Sequence, residues 1–205
     1  MSFLIAVHVN EGIVLASDRR TTYTNTQTRG DASLLGKPIT GFIQDMIRSR
    51  IGDDCSVSSI PQIIIDFFNE LPLVPDTHFI VAGYDKTESG KQQLLYKVRV
   101  KEKSIDQINT DSQGAVWDGE TYTLTRLIRN VAIKTTDNNY LDLPFEDILW
   151  GYFTLQDAID FARYAVETTI QTMRFKNVVE TVGGSVDILV ITPDETRWLQ
   201  KERLK

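Results

Sequence analysis

Apolar residues crowd the start of the chain. Phe3 to Val9 and Ile13 to Ser17 are two apolar runs separated by Asn10-Glu11-Gly12, a pattern that predicts a β-hairpin. Apolar residues at successive positions predict strands covered on both faces. Asp18-Arg19-Arg20 then sets three charges at the end of a buried strand, where charges need partners or mark a site. From Gly30 the spacing changes. Leu34, Leu35, Ile39, Phe42, Ile43, Met46 and Ile47 recur three and four apart and predict an amphipathic helix to about Arg50, interrupted early by Pro38. A second helix is predicted from Ser59 to Leu71, with Pro61 in its first turn and Pro72 beyond its end.

His78 to Tyr84 and Leu94 to Val100 read as paired strands across a polar loop, Asp85 to Gln93. Helical periodicity returns over 119–135 and 154–175, the second through Leu155, Ile159, Ala162, Val166 and Ile170. Val186 to Thr192 and Thr196 to Leu199 read as closing strands around Pro193-Asp194-Glu195. Helices grouped between hairpins predict antiparallel sheets with helix layers outside, not alternating βαβ units. No repeat or linker interrupts the pattern, so residues 1–205 are expected to form one domain.

Composition narrows the partners. The chain is 41% hydrophobic and 24% charged, with a formal charge of −6 and no basic run longer than Arg19-Arg20. A nucleic-acid partner is therefore not expected. The apolar start is too short for a signal peptide or a membrane span. One cysteine, Cys55, excludes an intrachain disulfide framework and a multi-cysteine metal site. A reducing cytoplasm is the expected location, with no membrane association. His8 and His78 both sit in apolar strands and read as core or edge residues. With no third histidine, neither a structural zinc nor another cofactor is expected. The glycines of 182–185 carry no dinucleotide or Walker fingerprint.

Four segments carry a family resemblance. Gly12-Ile-Val-Leu-Ala-Ser-Asp18-Arg19-Arg20 resembles the second-strand signature of proteasome subunits. Gly30-Asp31-Ala32 resembles the start of their first long helix, and His78-Phe-Ile-Val-Ala-Gly-Tyr-Asp85 their central strand. Val182-Gly-Gly-Ser-Val-Asp-Ile-Leu-Val-Ile191 resembles the segment before their closing strands. In order, these cover most of the chain. They resemble the proteasome-type N-terminal-nucleophile (Ntn) hydrolase family, as a β-subunit-like bacterial homologue without the extra N-terminal helix of α-type subunits. The resemblance implies an α+β fold, a four-layer αββα sandwich of two antiparallel β-sheets flanked by helices.

It also implies a chemistry. In that family the first residue of the mature protein is the nucleophile, commonly threonine, and its free amine serves as base. Carried onto this chain, Ser2 takes that place once Met1 is removed, Asp18 becomes the orienting acid, and Arg20 supports the cluster. By itself, Met-Ser is a common way for a chain to begin, and Asp18 and Arg20 could simply fix a strand end. The family lysine has no counterpart in Thr21 to Arg29, an interval shorter than the family pattern by roughly twenty residues, two strands and a turn. Val179 and Val182 stand where active relatives present an Asp and a Ser, and Thr121 only loosely matches a family serine. Two functions follow: a peptidase or amidohydrolase acting on peptide or protein substrates, or a catalytically inactive subunit kept for assembly. Both imply a homo-oligomeric ring.

Overall fold

A computed structural model describes residues 2–20 and 39–201. In chain order the first elements are β1 (Phe3–Val9), β2 (Gly12–Asp18), α1 (Ile39–Arg50) and α2 (Ile60–Asn69). Then come β3 (His78–Thr87), β4 (Gly90–Arg99), β5 (Ser104–Gln107), β6 (Gly114–Gly119) and α3 (Tyr122–Ile128). The last are β7 (Ala132–Lys134), β8 (Tyr140–Asp142), α4 (Leu155–Phe175), β9 (Val186–Ile191) and β10 (Thr196–Gln200). They divide into two compact units, Met1–Thr22 with Ser112–Lys205, and Tyr23–Asp111.

The first unit holds a five-stranded antiparallel sheet in the order β10-β9-β2-β1-β6. β1 and β2 form the expected hairpin, with Leu4 opposite Ser17 and Val7 opposite Val14. Alternate residues of β1, namely Phe3, Ile5, Val7 and Val9, join Val14, Ile188 and Val190 in one buried cluster against α4. Each such side chain contributes about 1.5–3 kcal/mol when taken out of water. Helix α4 meets the sheet through Ala158, Ala162 and Ala165, all fully buried. Small residues there let its backbone approach the strands. Its start is fixed by a capping box, in which Thr154 accepts from the Asp157 amide and Asp157 accepts from the Thr154 amide. Glu11, from the β1–β2 turn, accepts the Leu155 amide at 2.6 Å. Two carboxylates thus face the positive end of the α4 dipole.

The second unit holds the antiparallel sheet β3-β4-β5. Its core joins Ile64, Ile65 and Phe68 of α2 and Met46 of α1 to Leu94, Tyr96 and Val98 of β4. Asp85, which ended one of the sequence segments noted above, accepts the Val57 amide at 2.6 Å and the Ser58 hydroxyl at 2.7 Å. Burial alone would raise its pKa, but these hydrogen bonds and the Ser58 amide outweigh burial and hold it below the usual carboxylate value. Asp85 therefore clasps the turn that leads into α2.

Several expectations shift in detail. The interval Asp85 to Gln93 is not a loop: Asp85 pairs with Gln92 and Lys86 with Lys91, so the strands run on to a tight turn. Polar residues belong there because both strands are exposed at that end. The helical stretch over 119–135 contracts to Tyr122–Ile128, and Ala132–Lys134 is a strand. The first predicted helix is described from Ile39, and its part before that lies outside the described residues. No helix among the described residues is long and apolar enough to cross a membrane.

Candidate functional site

The start of β1 and the end of β2 lie side by side because the hairpin is antiparallel, and this puts Asp18 beside the residue that follows Ser2. The Phe3 amide donates to Asp18 Oδ1 at 2.8 Å. Asp18 Oδ2 accepts from the Gly183 amide at 2.9 Å and the Arg20 amide at 3.2 Å. The residue is 6% exposed. Burial raises its pKa, while the three amides and its own backbone oppose that shift and favour the charged form. No ion pair to Asp18 is formed among the described residues.

Ser2 is held on its other side. Its carbonyl accepts the Glu120 amide at 3.0 Å, continuing the β1–β6 ladder beyond the Phe3–Gly119 pair. Gly119 has φ +84, and a Cβ there would lie 1.8 Å from the Ser2 carbonyl oxygen. Only glycine fits that close approach. The Ser2 residue is half-buried, so its peptide is fixed while its side chain remains within reach of solvent. Thr121, the loose serine match, instead begins α3, its carbonyl accepting from the Thr125 amide at 2.9 Å.

Arg20 closes the cluster from the opposite side. Its amide and that of Arg19 both donate to the Gly183 carbonyl, at 3.0 and 3.2 Å. The Arg20 guanidinium donates to the Glu180 carbonyl at 3.3 Å and forms an ion pair with the Glu180 carboxylate. Arg19 pairs with Asp187 at 3.1 Å. Ser2, Asp18 and Arg20 are therefore brought to one end of the five-stranded sheet, with the 180–183 segment bonded to Asp18 and Arg20. Both halves of the Arg20–Glu180 pair are substantially exposed, so it orients the segment more than it stabilises the fold.

That segment differs from the pattern expected of an active site. Val179 is 76% exposed and Val182 is 1% exposed. Neither carries a polar side-chain atom. The hydroxyl of the segment belongs to Thr181, whose Oγ1 is buried with no hydrogen-bond partner among the described residues. Thr21 to Arg29, the interval that holds no counterpart of the family lysine, lies outside the described residues, as does Met1. Glu120, Glu180 and Thr181 were not singled out by sequence. Glu120 and Glu180 meet partners far along the chain, Ser2 and Arg20, and the Thr181 hydroxyl meets none among the described residues, so no local motif announces them.

No protein-family model matches the chain, and no curated protein matches it. Solved structures do. A mutant form of Anbu from Hyphomicrobium sp. strain MC1 aligns with a TM-score of 0.62 at 13% identity, covering 97% of this chain and 87% of that one. Anbu from the same strain aligns at 0.59 and 14% identity, over 98% and 88%. Anbu from Yersinia bercovieri, described as an ancestral beta-subunit, aligns at 0.58 and 11% identity, over 98% and 88%.

The family expectation is thereby corrected. Membership of the proteasome-type Ntn hydrolase family, as a β-subunit-like bacterial homologue, does not follow when no family model matches and identity to these structures is 11–14%. The physical reason is in the segments themselves. Asp18 is the acceptor for three amides, Gly184 sits at φ +81, and Asp85 clasps the entry to α2. Such residues are demanded by the backbone and report a shared architecture. The likeness is one of fold: the chain has the α+β, proteasome-like Ntn hydrolase fold of Anbu.

Proposed function

We propose that this chain is a peptidase or amidohydrolase whose nucleophile is the Ser2 hydroxyl, freed with its amine when Met1 is removed. The observation that carries the reading is the double clasp on Ser2. Glu120 holds its carbonyl and Asp18 holds the next amide. A nucleophile on a rigid strand end loses little freedom on reaching its transition state. The neutral amine of a terminal residue can take the hydroxyl proton and later return it to the leaving amine. Asp18 orients the strand end and supplies negative charge that favours the protonated amine formed in that step. Arg20 holds the 180–183 segment in register with it.

The substrate in this reading is a peptide or protein segment bound in extended form. β6 ends its sheet and lies beside the strand that carries Ser2, an arrangement suited to pairing with an added strand. The proposal takes residues 1–205 as one functional domain, working in the cytoplasm as a homo-oligomeric ring. The likeness to a protein described as a beta-subunit supports the assembly. A panel of fluorogenic peptides tests the activity, with Ser2→Ala as the control. Hydrolysis by the wild type and none by Ser2→Ala supports the reading. Equal rates for the two proteins reject it.

A second reading, a catalytically inactive subunit kept for assembly, is favoured by one specific observation. The Asp18 carboxylate is engaged by backbone amides, and no cation pairs with it among the described residues. An acid used this way fixes a strand end whether or not chemistry occurs. Failure of every peptide in the panel, with an intact assembled protein, selects this reading.

A further inference from the structure

The segment from Val131 to Tyr152 leaves its own chain unusually open. β7 and β8 pair Ile133 with Leu141 and Lys134 with Tyr140. Every residue from Thr136 to Asp147 is exposed. Tyr140 is 73% exposed and Leu141 60%. A two-stranded hairpin that buries nothing is marginal by itself, and ordering its backbone costs conformational entropy that only contacts can offset. Charge in this segment is one-sided. Asp137, Asp142, Glu146 and Asp147 face a single base, Lys134.

The same unit carries a second open apolar surface of the opposite sign. Tyr122 to Arg129 contains Arg126 and Arg129 and no acid, and Arg174 to Val179 contains Arg174 and Lys176 and no acid. The two stretches form one surface. Lys176 donates to the Thr123 hydroxyl at 3.3 Å and lies 4.8 Å from the Tyr122 ring centre, and Arg126 lies 4.1 Å from the same centre. Phe175 beside them is 83% exposed.

We propose that these two faces are partners: the acidic β7–β8 segment of one copy docks on the basic end of α3 and α4 of the next. An acidic apolar face repels its own copy, and so does a basic one, so neither suits a two-fold contact with itself. An acid-to-base contact joins different faces of successive copies. Such head-to-tail contacts close into rings or extend as filaments. The inference rests on the self-assembly in the functional proposal and is independent of the chemistry at Ser2.

Light scattering after size exclusion tests it on the full chain. Asp142→Lys with Glu146→Lys reverses the hairpin face, and Arg126→Glu with Arg174→Glu reverses the helical face. All four positions are exposed, and circular dichroism checks that each protein is folded. The wild type is expected to exceed monomer mass and to lose mass as salt rises. Each double variant alone is expected to be monomeric, and an equimolar mixture of the two to recover an assembly. A double variant that keeps the wild-type mass overturns the docking faces while leaving assembly intact. A mixture that stays monomeric shows that the faces do not meet, and likewise overturns it. A monomeric wild type overturns both the docking and the assembly reading.

Discussion

Asp18 accepts the Phe3 amide at 2.8 Å, so the last residue of β2 closes the open end of the hairpin that begins with β1. The same carboxylate takes the Gly183 amide at 2.9 Å. One buried side chain therefore ties the start of the chain to its last sheet segment.

Asp18→Ala removes the acceptor of both amides. Each buried N–H left without a partner costs about 1–3 kcal/mol, which water entering the space and relief of the buried charge partly offset. The expected net loss is on the order of 2 kcal/mol, read by urea denaturation. Its pH dependence has a definite sign. Burial raises the folded pKa of Asp18 above the ordinary 3.8, so its contribution is fully present below that value and declines as pH rises through the folded one. The deficit of Asp18→Ala is thus larger in acid than at neutral pH. An equal deficit at both contradicts the assignment.

Gly119→Ala places a methyl 1.8 Å from the Ser2 carbonyl oxygen on a backbone at φ +84. The left-handed conformation alone costs about 1–2 kcal/mol, and the clash adds to it. We expect a fall in Tm together with loss of any reactivity at Ser2. A variant as stable as the wild type would show that the clasp on Ser2 is looser than described.

His8 is 4% exposed and its Nδ1 has no hydrogen-bond partner among the described residues. Burial lowers its pKa below the ordinary 6.5. The unfolded chain then takes up the proton more readily, so stability falls as pH drops from 6.5 through the folded value. His8→Leu is expected to flatten this window without loss of stability at neutral pH. Parallel pH profiles for the two proteins would assign the slope to other groups.

Thr181→Val replaces a buried hydroxyl that has no partner among the described residues with a methyl group of similar shape. Removing such an orphan is expected to raise stability by about 1 kcal/mol. A comparable loss instead would mean that the hydroxyl is engaged.

The hairpin was legible in the sequence because both strands are apolar at successive positions and meet at Asn10-Glu11-Gly12. α2 was legible from Pro61 near its start and Pro72 beyond its end, and α4 from its apolar spacing, whereas the Thr154 cap of α4 shows only in the fold. β5 was not, since Ser104–Gln107 is four residues, three of them polar, and its one apolar residue, Ile105, is exposed. β6 was hidden too. Gly114–Gly119 offers no strong pattern of its own and is held by its pairing with β1. Asp18 stood out as a charge ending a buried strand. Glu180 did not, because its partner Arg20 lies 160 residues away and only the folded sheet brings them together. The motifs reported the architecture well, but residues that the backbone requires are shared across wide sequence distance and do not fix a family.

The central claim is that Ser2 presents a reactive hydroxyl and a free amine. Intact-mass analysis of protein from its own cell, before and after a β-lactone probe, tests it most directly. The account predicts a mass lacking the initiator methionine and a single acyl adduct that maps to residue 2. A retained methionine, with no adduct at Ser2, would contradict it and leave the inactive subunit as the reading of this chain.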